Sequence, residues 1–238
     1  MLSTTIAITI MAIWFLSFIL LLRLDLARFP LILIPVLMAM RTFVHTGIFI
    51  IIHDSIHGVV NHNKIVNSLM GYVAAFLYAI LPYKTLAENH RQHHSCPATV
   101  DDPDFYDRDP HNPWLWYASF MKDYQEGKQF WILFWGITVI FWSLFLLHVS
   151  LVNMFLFWIL PIIFSSLQLF IFGIYLPHRP RLEGYSDRHR ARSNNHSTLV
   201  SFIACYHFGY HWEHHQYPHL PWYELPYARR LRHNRLYS

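Results

Sequence analysis

The chain has 238 residues, of which 54% are apolar and 13% charged, with a net charge of +4 and a mean hydropathy of +0.25. Intrinsic disorder is excluded, because disordered chains are poor in apolar residues and rich in charge, and an ordinary soluble domain carries about 25% charged residues. The two cysteines, Cys96 and Cys205, stand in no paired motif, which excludes a disulfide framework and a thiolate metal site. The basic excess is modest and lies beside apolar runs, so no nucleic-acid partner is expected.

Long apolar runs organise the chain. Four of them are long enough to cross a hydrocarbon core of about 30 Å. They cover residues 6–22, 31–52, 130–149 and 151–176. Residues 65–81 are also apolar but contain Gly71 and end at Pro82, and residues 199–215 predict a helix. We therefore expect an all-α integral membrane protein with about four transmembrane helices, formed as a single domain over residues 1–238.

Histidine is unusually abundant, with 18 residues against 14 Asp and Glu together. Three clusters have the spacing of metal ligands: HxxxH at 53–57, and HxxHH at 90–94 and again at 211–215. Neutral imidazole binds zinc, copper, iron and nickel, and these clusters offer more imidazoles than one four-coordinate ion uses. They predict a site for two metal ions. The candidate ligands are His53, His57, His90, His93, His94, His211, His214 and His215.

The clusters also constrain the topology. If residues 65–81 crossed the membrane, the second cluster would lie on the opposite side from the first, and the two would not share a site. We therefore expect a re-entrant or interfacial helical segment there, which is tolerated when it is buried in protein. The positive-inside rule then places the histidine face in the cytoplasm. The basic residues that support this orientation are Lys84, Arg91, Lys122, Lys128, Arg179, Arg181, Arg188, Arg190 and Arg192.

The histidine set resembles that of the membrane fatty-acid desaturase and hydroxylase superfamily. Within it, the chain is similar to the bacterial and cyanobacterial β-carotene ketolases from about residue 31 to residue 230. The histidine clusters indicate only the superfamily, whereas the final stretch is more specific to the ketolases. The matching stretches are 41–50 (RTFVHTGIFI), 53–58 (HDSIHG), 102–105 (DPDF), 175–180 (YLPHRP), 187–193 (DRHRARS), 205–215 (CYHFGYHWEHH) and 218–222 (PHLPW).

The resemblance implies an enzyme with two iron ions (Fe²⁺) that uses O₂ as co-substrate. It implies oxidation of ring carbon 4 of β-carotene, or of a related carotenoid, to a ketone, giving echinenone and then canthaxanthin. The family's usual route is two hydroxylations at one carbon followed by loss of water. The substrate would enter from membrane lipid of a bacterial inner or thylakoid membrane. Since the sequence contains no G-x-G-x-x-G loop and no haem or iron–sulfur motif, we expect an external electron donor, a ferredoxin by analogy with the family.

Superfamily members usually have a further metal ligand outside the three clusters. His178, which follows a transmembrane run, is the candidate, with His189 and His207 as rivals. Carboxylates are expected to accept hydrogen bonds from the ligand imidazoles and so to fix their orientation. The carboxylates expected in this role are Asp54, Asp102, Asp104 and Glu213.

Arg41 falls within the second apolar run, where a charge needs partners inside the protein. Gln168 is its expected neighbour. We expect Arg41 either to brace the helix bundle below the metal site or to line the substrate tunnel.

Other functions remain open at the level of the sequence. A carotenoid hydroxylase or an acyl-lipid desaturase of the same superfamily would differ only in its substrate or in its final product. A membrane electron carrier with bis-histidine haem would need isolated histidines that face each other across a bundle. A metal transporter would need polar groups through several spans, and the first and third apolar runs offer almost none.

Overall fold

The long apolar runs form long helices, because an α-helix satisfies its own backbone hydrogen bonds where water is absent. The structure is a computed structural model that describes residues 1–236, with side chains described for residues 1–232. The only β pairing within this part is one isolated bridge between Ser193 and Tyr210, so the prediction of an all-α fold is confirmed. The helices are α1 (Leu2–Leu22), α2 (Ile34–Ile56), α3 (Lys64–Ala79), α4 (Tyr83–Ser95), α5 (Pro113–Asp123), α6 (Lys128–Leu146), α7 (Leu151–His178), α8 (Thr198–Cys205), α9 (His211–Gln216) and α10 (Leu225–Leu236).

Four segments are long and apolar enough to cross a membrane, as predicted. They are Leu2–Leu22, Leu31–Ile56, Lys128–Leu146 and Leu151–His178. The segments that contain α1, α2 and α7 pack against one another. Helix α6 stands at the edge of the bundle and fully buries none of its own residues.

Helices α3 and α4 form a bent pair rather than one straight span. Their axes differ by 103°, and the bend falls where Ile80 adopts a left-handed conformation (φ 55°) just before Pro82. The Gln129 side chain of α6 donates a hydrogen bond to the carbonyl oxygen of Ile80 at 3.0 Å. This bond satisfies a backbone group that the end of α3 leaves free. The bend returns α4 to the end of α2, so the first two histidine clusters lie side by side.

Helix α7 is interrupted by two π-helical turns. They lie at Phe155–Ile159 and Phe170–Tyr175, and π turns within helices often occur at functional sites. The second turn ends just before His178, so it sets the direction in which this side chain leaves the helix. Gly173 lies inside that turn, where a Cβ atom would come within 2.8 Å of the Phe208 ring. The close approach of the two segments therefore requires glycine at this position.

A buried arginine braces the bundle below the histidines. Arg41 in α2 is 2% exposed. Its guanidinium donates to the carbonyl oxygens of Trp14 in α1 at 2.9 Å and Phe157 in α7 at 3.3 Å. The expected contact with Gln168 is wrong, because that amide oxygen accepts a hydrogen bond from the Thr46 hydroxyl at 2.6 Å instead. Backbone carbonyl groups of the neighbouring helices thus satisfy this buried charge.

Candidate metal centre and adjoining cavity

The structure brings the three histidine clusters together at one end of the bundle. The first group contains His53 and His57 from the end of α2, His90 from α4 and His214 from α9, with candidate ligand atoms within 4.8 Å of one another. The two Nε2 atoms of His57 and His90 are 2.8 Å apart, and those of His53 and His214 are 3.1 Å apart. His94 adjoins this group, with its Nε2 2.9 Å from that of His214.

A second group lies beside the first and is fully buried. It contains His93 from α4, His178 from the end of α7, and His211 and His215 from α9, again within 4.8 Å of one another. The Nε2 atom of His215 lies 3.2 Å from that of His93 and 3.1 Å from that of His211. The sequence-predicted candidate His178 therefore joins residues of the second and third clusters.

The protonation of His178 shows why this group suits a cation. Its Nδ1 lies 3.0 Å from the carbonyl oxygen of Arg190, which only accepts, so Nδ1 carries the proton and Nε2 carries a lone pair. That Nε2 is buried and has no hydrogen-bond partner within the described residues. An orphaned buried acceptor costs free energy, and a metal ion among the four imidazoles would remove that cost. The donor set therefore fits a metal ion, and imidazole is suited to iron among others.

Electrostatics at the site favours neutral ligands. Burial, and then the charges of neighbouring imidazoles, lower the pKa of His57 to about 4 and that of His94 to about 2. Burial alone would also lower the pKa of His93, but the hydrogen bond and the charge of Asp102 raise it above its usual value. Neutral imidazoles keep a lone pair available for a metal ion, so His57 and His94 require no deprotonation at neutral pH.

Two of the predicted carboxylates contact imidazoles. Asp102 accepts from Nδ1 of His93 at 2.9 Å and is itself held by the backbone N–H of Ala98 at 2.7 Å. Asp54 lies 3.3 Å from Nδ1 of its neighbour His53. Both carboxylates direct Nε2 of the imidazole toward the other histidines, as is common around metal ligands.

The expectation for Glu213 is wrong. At about 100° per residue, position 213 lies opposite the histidines of α9, so its carboxylate points away from them. It accepts a hydrogen bond from the Ser193 hydroxyl and lies 3.5 Å from Arg229 and 3.3 Å from Arg232 of α10. Glu213 is fully buried. Its ion pairs link the third cluster to α10, and it orients no imidazole among the described residues.

Asp104 also differs from its expected role. Its carboxylate oxygen Oδ1 accepts from the hydroxyl of Tyr124 at 2.9 Å, and the described residues form no hydrogen bond between Asp104 and an imidazole. Burial raises its pKa to about 6. Tyr124 could not be predicted from the sequence, because no local pattern distinguishes a residue that directly follows a short helix.

The rivals of His178 lie outside both groups. Nε2 of His189 is 3.0 Å from the amide oxygen of Gln216 and bonds to it. His207 and His211 would share one face of the predicted helix over residues 199–215. In the structure that helix is interrupted. Tyr206 and His207 both have left-handed backbone conformations (φ 46° and 64°), which end α8 before α9 begins.

An apolar cavity of about 350 Å³ reaches the histidines from the side of the bundle. Its walls come from α2, α5, α6 and α7, with Phe49, Leu133 and Ile162 among the lining residues. At one end the lining includes His53 and His93. A largely apolar pocket that ends at a few convergent polar groups is typical of a site for an apolar substrate. Arg41 does not line this cavity, so its bracing role is the one that the structure favours.

Loss of the carboxylate beside His93 should weaken metal binding. In Asp102→Asn a neutral amide replaces the charged acceptor of the His93 N–H, and changes of this kind typically cost about 10–100-fold in metal affinity. Iron affinity is measured by competition with a chelator under anaerobic conditions. The matched control is Asp101→Asn, which changes the exposed neighbouring carboxylate and should leave the affinity unaltered. Equal affinities for the two variants would contradict this role for Asp102.

Comparisons with known proteins agree with the site. A fatty acid desaturase family model matches residues 27–238. The chain is 38% identical over 229 residues to a β-carotene ketolase from a Paracoccus species, covering 94% of this chain and 86% of that protein. It is 38% identical over 198 residues to β-carotene 4-ketolase 3 of Haematococcus lacustris, covering 79% and 60% of the two chains. The chloroplastic omega-6 fatty acid desaturase of Brassica napus is 24% identical over 238 residues, covering 84% and 54%. No solved structure matches the chain.

Proposed function

Because the chain belongs to the fatty acid desaturase family, with β-carotene ketolases among its relatives, we propose that it oxidises carbon 4 of a β-ionone ring to a ketone. The observation that carries this proposal is the apolar cavity that ends at two groups of imidazoles. A hydrocarbon substrate needs an apolar channel, and a metal centre at its end would supply the oxidation of a C–H bond by O₂. The chain is an oxidoreductase, like these relatives.

The metal centre is proposed to hold two iron ions. The ligands would be the eight histidines of the three clusters together with His178, nine in all. The bound irons would supply the activation of O₂. The protein's own contribution is to keep imidazoles such as those of His57 and His94 neutral, to fix the direction of His53 and His93 through Asp54 and Asp102, and to surround the approach with apolar side chains.

The substrate is proposed to be β-carotene or a related carotenoid that enters from the lipid. The reacting methylene group is allylic, so its C–H bond is weaker than that of an ordinary alkane. Each of two hydroxylations consumes one O₂, two electrons and two protons and releases one water, and the resulting diol loses a further water to give the ketone. The products would be echinenone and canthaxanthin.

The electrons are proposed to come from a separate donor protein, a ferredoxin by family analogy, at the cytoplasmic face. Basic side chains of Lys64, Lys84 and Arg91 line a polar cleft that also includes His57. Its lining differs from that of the apolar cavity except for Ile56, which lines both. Its charge suits an acidic partner.

The proposed function is tested by pigment analysis of a β-carotene-producing bacterium that expresses the chain. We expect echinenone or canthaxanthin by chromatography with mass detection, and neither from the His214→Ala variant. Hydroxylated carotenoid alone would move the assignment to a ring hydroxylase. Unaltered β-carotene from well-expressed protein that is supplied with reduced ferredoxin would overturn the proposal. A Soret band in the purified protein would favour the haem carrier instead.

A further inference from the structure

We infer that Asp104, oriented by Tyr124, binds the hydroxyl group of the singly oxidised ring and retains it for the second oxidation. The inference rests on the proposed function. It gives a role to two residues that do not orient a metal ligand. It would explain why a site of this architecture delivers a ketone rather than an alcohol.

The first observation is the position of the pair. Both residues line the apolar cavity, as His90 and His93 do, and a carboxylate oxygen of Asp104 lies within 4.8 Å of a ring nitrogen of His93. Asp104 is 8% exposed, and its backbone N–H donates to Asp102 at 2.9 Å. The backbone of Asp104 is therefore anchored next to the proposed reaction centre.

The second observation is that this carboxylate has unused accepting capacity. Tyr124 donates to Oδ1 at 2.9 Å, while the described residues supply no donor to Oδ2 and no Lys or Arg within salt-bridge distance. A carboxylate has about four acceptor positions, so one donor leaves room for another. In an apolar cavity, the missing donor would be an O–H group of the bound ligand.

Three other polar side chains of the cavity wall are already paired. The hydroxyl of Tyr78 lies 3.1 Å from that of Ser165, and the Ser166 hydroxyl donates to the carbonyl oxygen of Ile163 at 2.9 Å. The amide of Gln129 donates to a backbone carbonyl at the α3–α4 bend. A hydroxyl group that forms on the substrate near the histidines thus finds its open acceptor at Asp104.

The starting hydrocarbon, the alcohol and the ketone differ in the hydrogen bond that each can offer to Asp104. The starting ring is a hydrocarbon and offers no hydrogen bond to Asp104. The first hydroxylation replaces one C–H bond of carbon 4 by C–OH, and the new O–H donates to Oδ2. The second hydroxylation replaces the remaining C–H bond of that carbon, and the diol loses water to form the ketone. A ketone has no O–H to donate, so the finished product loses this contact and is released.

The test compares two variants with a matched control. Tyr124→Phe removes the hydroxyl that orients the carboxylate, and Asp104→Asn removes its charge. Tyr117→Phe alters another tyrosine, on α5, whose hydroxyl lies 2.6 Å from that of Ser166 and which does not line the cavity. We expect the ratio of 4-hydroxy to 4-keto product to rise about tenfold or more in the first two variants, as for a lost hydrogen bond to a charged group. The ratio should stay unchanged in Tyr117→Phe.

A binding measurement separates this role from a structural one. Iron-loaded protein without O₂ or reductant is titrated with β-carotene and with its 4-hydroxy derivative, and binding is followed by quenching of tryptophan fluorescence. The wild type should prefer the alcohol, and Tyr124→Phe and Asp104→Asn should lose that preference while they keep their affinity for β-carotene. This measurement also decides the matter if a variant loses all turnover.

The outcomes distinguish this inference from the proposed function. No oxygenated product from the wild type would overturn the proposed function. Ketone from the wild type, with an unaltered product ratio and an unaltered binding preference in both variants, would overturn only the role of Asp104 and Tyr124.

Discussion

Replacing His178 by alanine is expected to lower the iron content from the proposed two to about one per chain and to abolish the proposed ketone formation. His178 closes the second histidine group from the end of α7, and its Nε2 is a buried lone pair without a partner in the described structure. Without it, three imidazoles remain in that group. The loss of activity should exceed the roughly 10–100-fold that is typical when only an outer partner of a ligand is removed.

Iron per chain is measured by elemental analysis of the purified protein, and ketone formation by chromatography. His189→Ala is the matched control, because this residue follows the same span and was the rival candidate, but its Nε2 bonds to Gln216. The control should keep both irons and most of its activity. Retention of iron in His178→Ala together with its loss in His189→Ala would reverse the assignment.

Replacing Glu213 by alanine is expected to lower the free energy of unfolding by about 3 kcal/mol, because removal of one partner leaves buried or half-buried charges without compensation. Glu213 is fully buried against Ser193, Arg229 and Arg232. The guanidinium of Arg232 also lies 3.6 Å from the centre of the Trp212 ring. The Glu213 carboxylate thus joins α9 and α10, and its loss should loosen the third histidine cluster.

Thermal unfolding of the detergent-solubilised protein gives the comparison, and at this size the expected loss corresponds to a fall of roughly 10 °C in the midpoint. Glu224→Ala removes an exposed carboxylate from the adjacent 3₁₀ turn and should change the stability by less than about 0.5 kcal/mol. Equal midpoints for the two variants would show that the ion pairs of Glu213 contribute nothing to stability.

The helical framework of the site could be predicted from local patterns. Apolar runs of sufficient length predict the four long helices, and the need for the first two histidine clusters to lie on one side indicates that residues 65–81 do not cross as a straight span. Histidines three and four positions apart share a helical face whatever surrounds the helix. Their number and spacing therefore predicted a common site before any tertiary contact was known.

The carboxylates show where such reasoning fails. Proximity in sequence correctly suggested Asp102 for His93, since the two are joined by a short turn. The same argument failed for Glu213, which lies on the opposite face of α9, and for Asp104, whose partner Tyr124 lies beyond α5. The left-handed residues Tyr206 and His207 likewise interrupt a stretch that reads as one helix.

The family, the all-α class and the set of histidines follow from local sequence, because hydropathy and helical spacing are properties of neighbouring residues. Tertiary structure alone decided which acceptor fixes His178, which cations surround Glu213, and that Asp104 faces an apolar cavity. Each of these depends on segments far apart in the chain, such as the loop at Arg190 and helix α10. Their meeting is set by the packing of α2, α4, α7 and α9, and no local pattern in the chain encodes it.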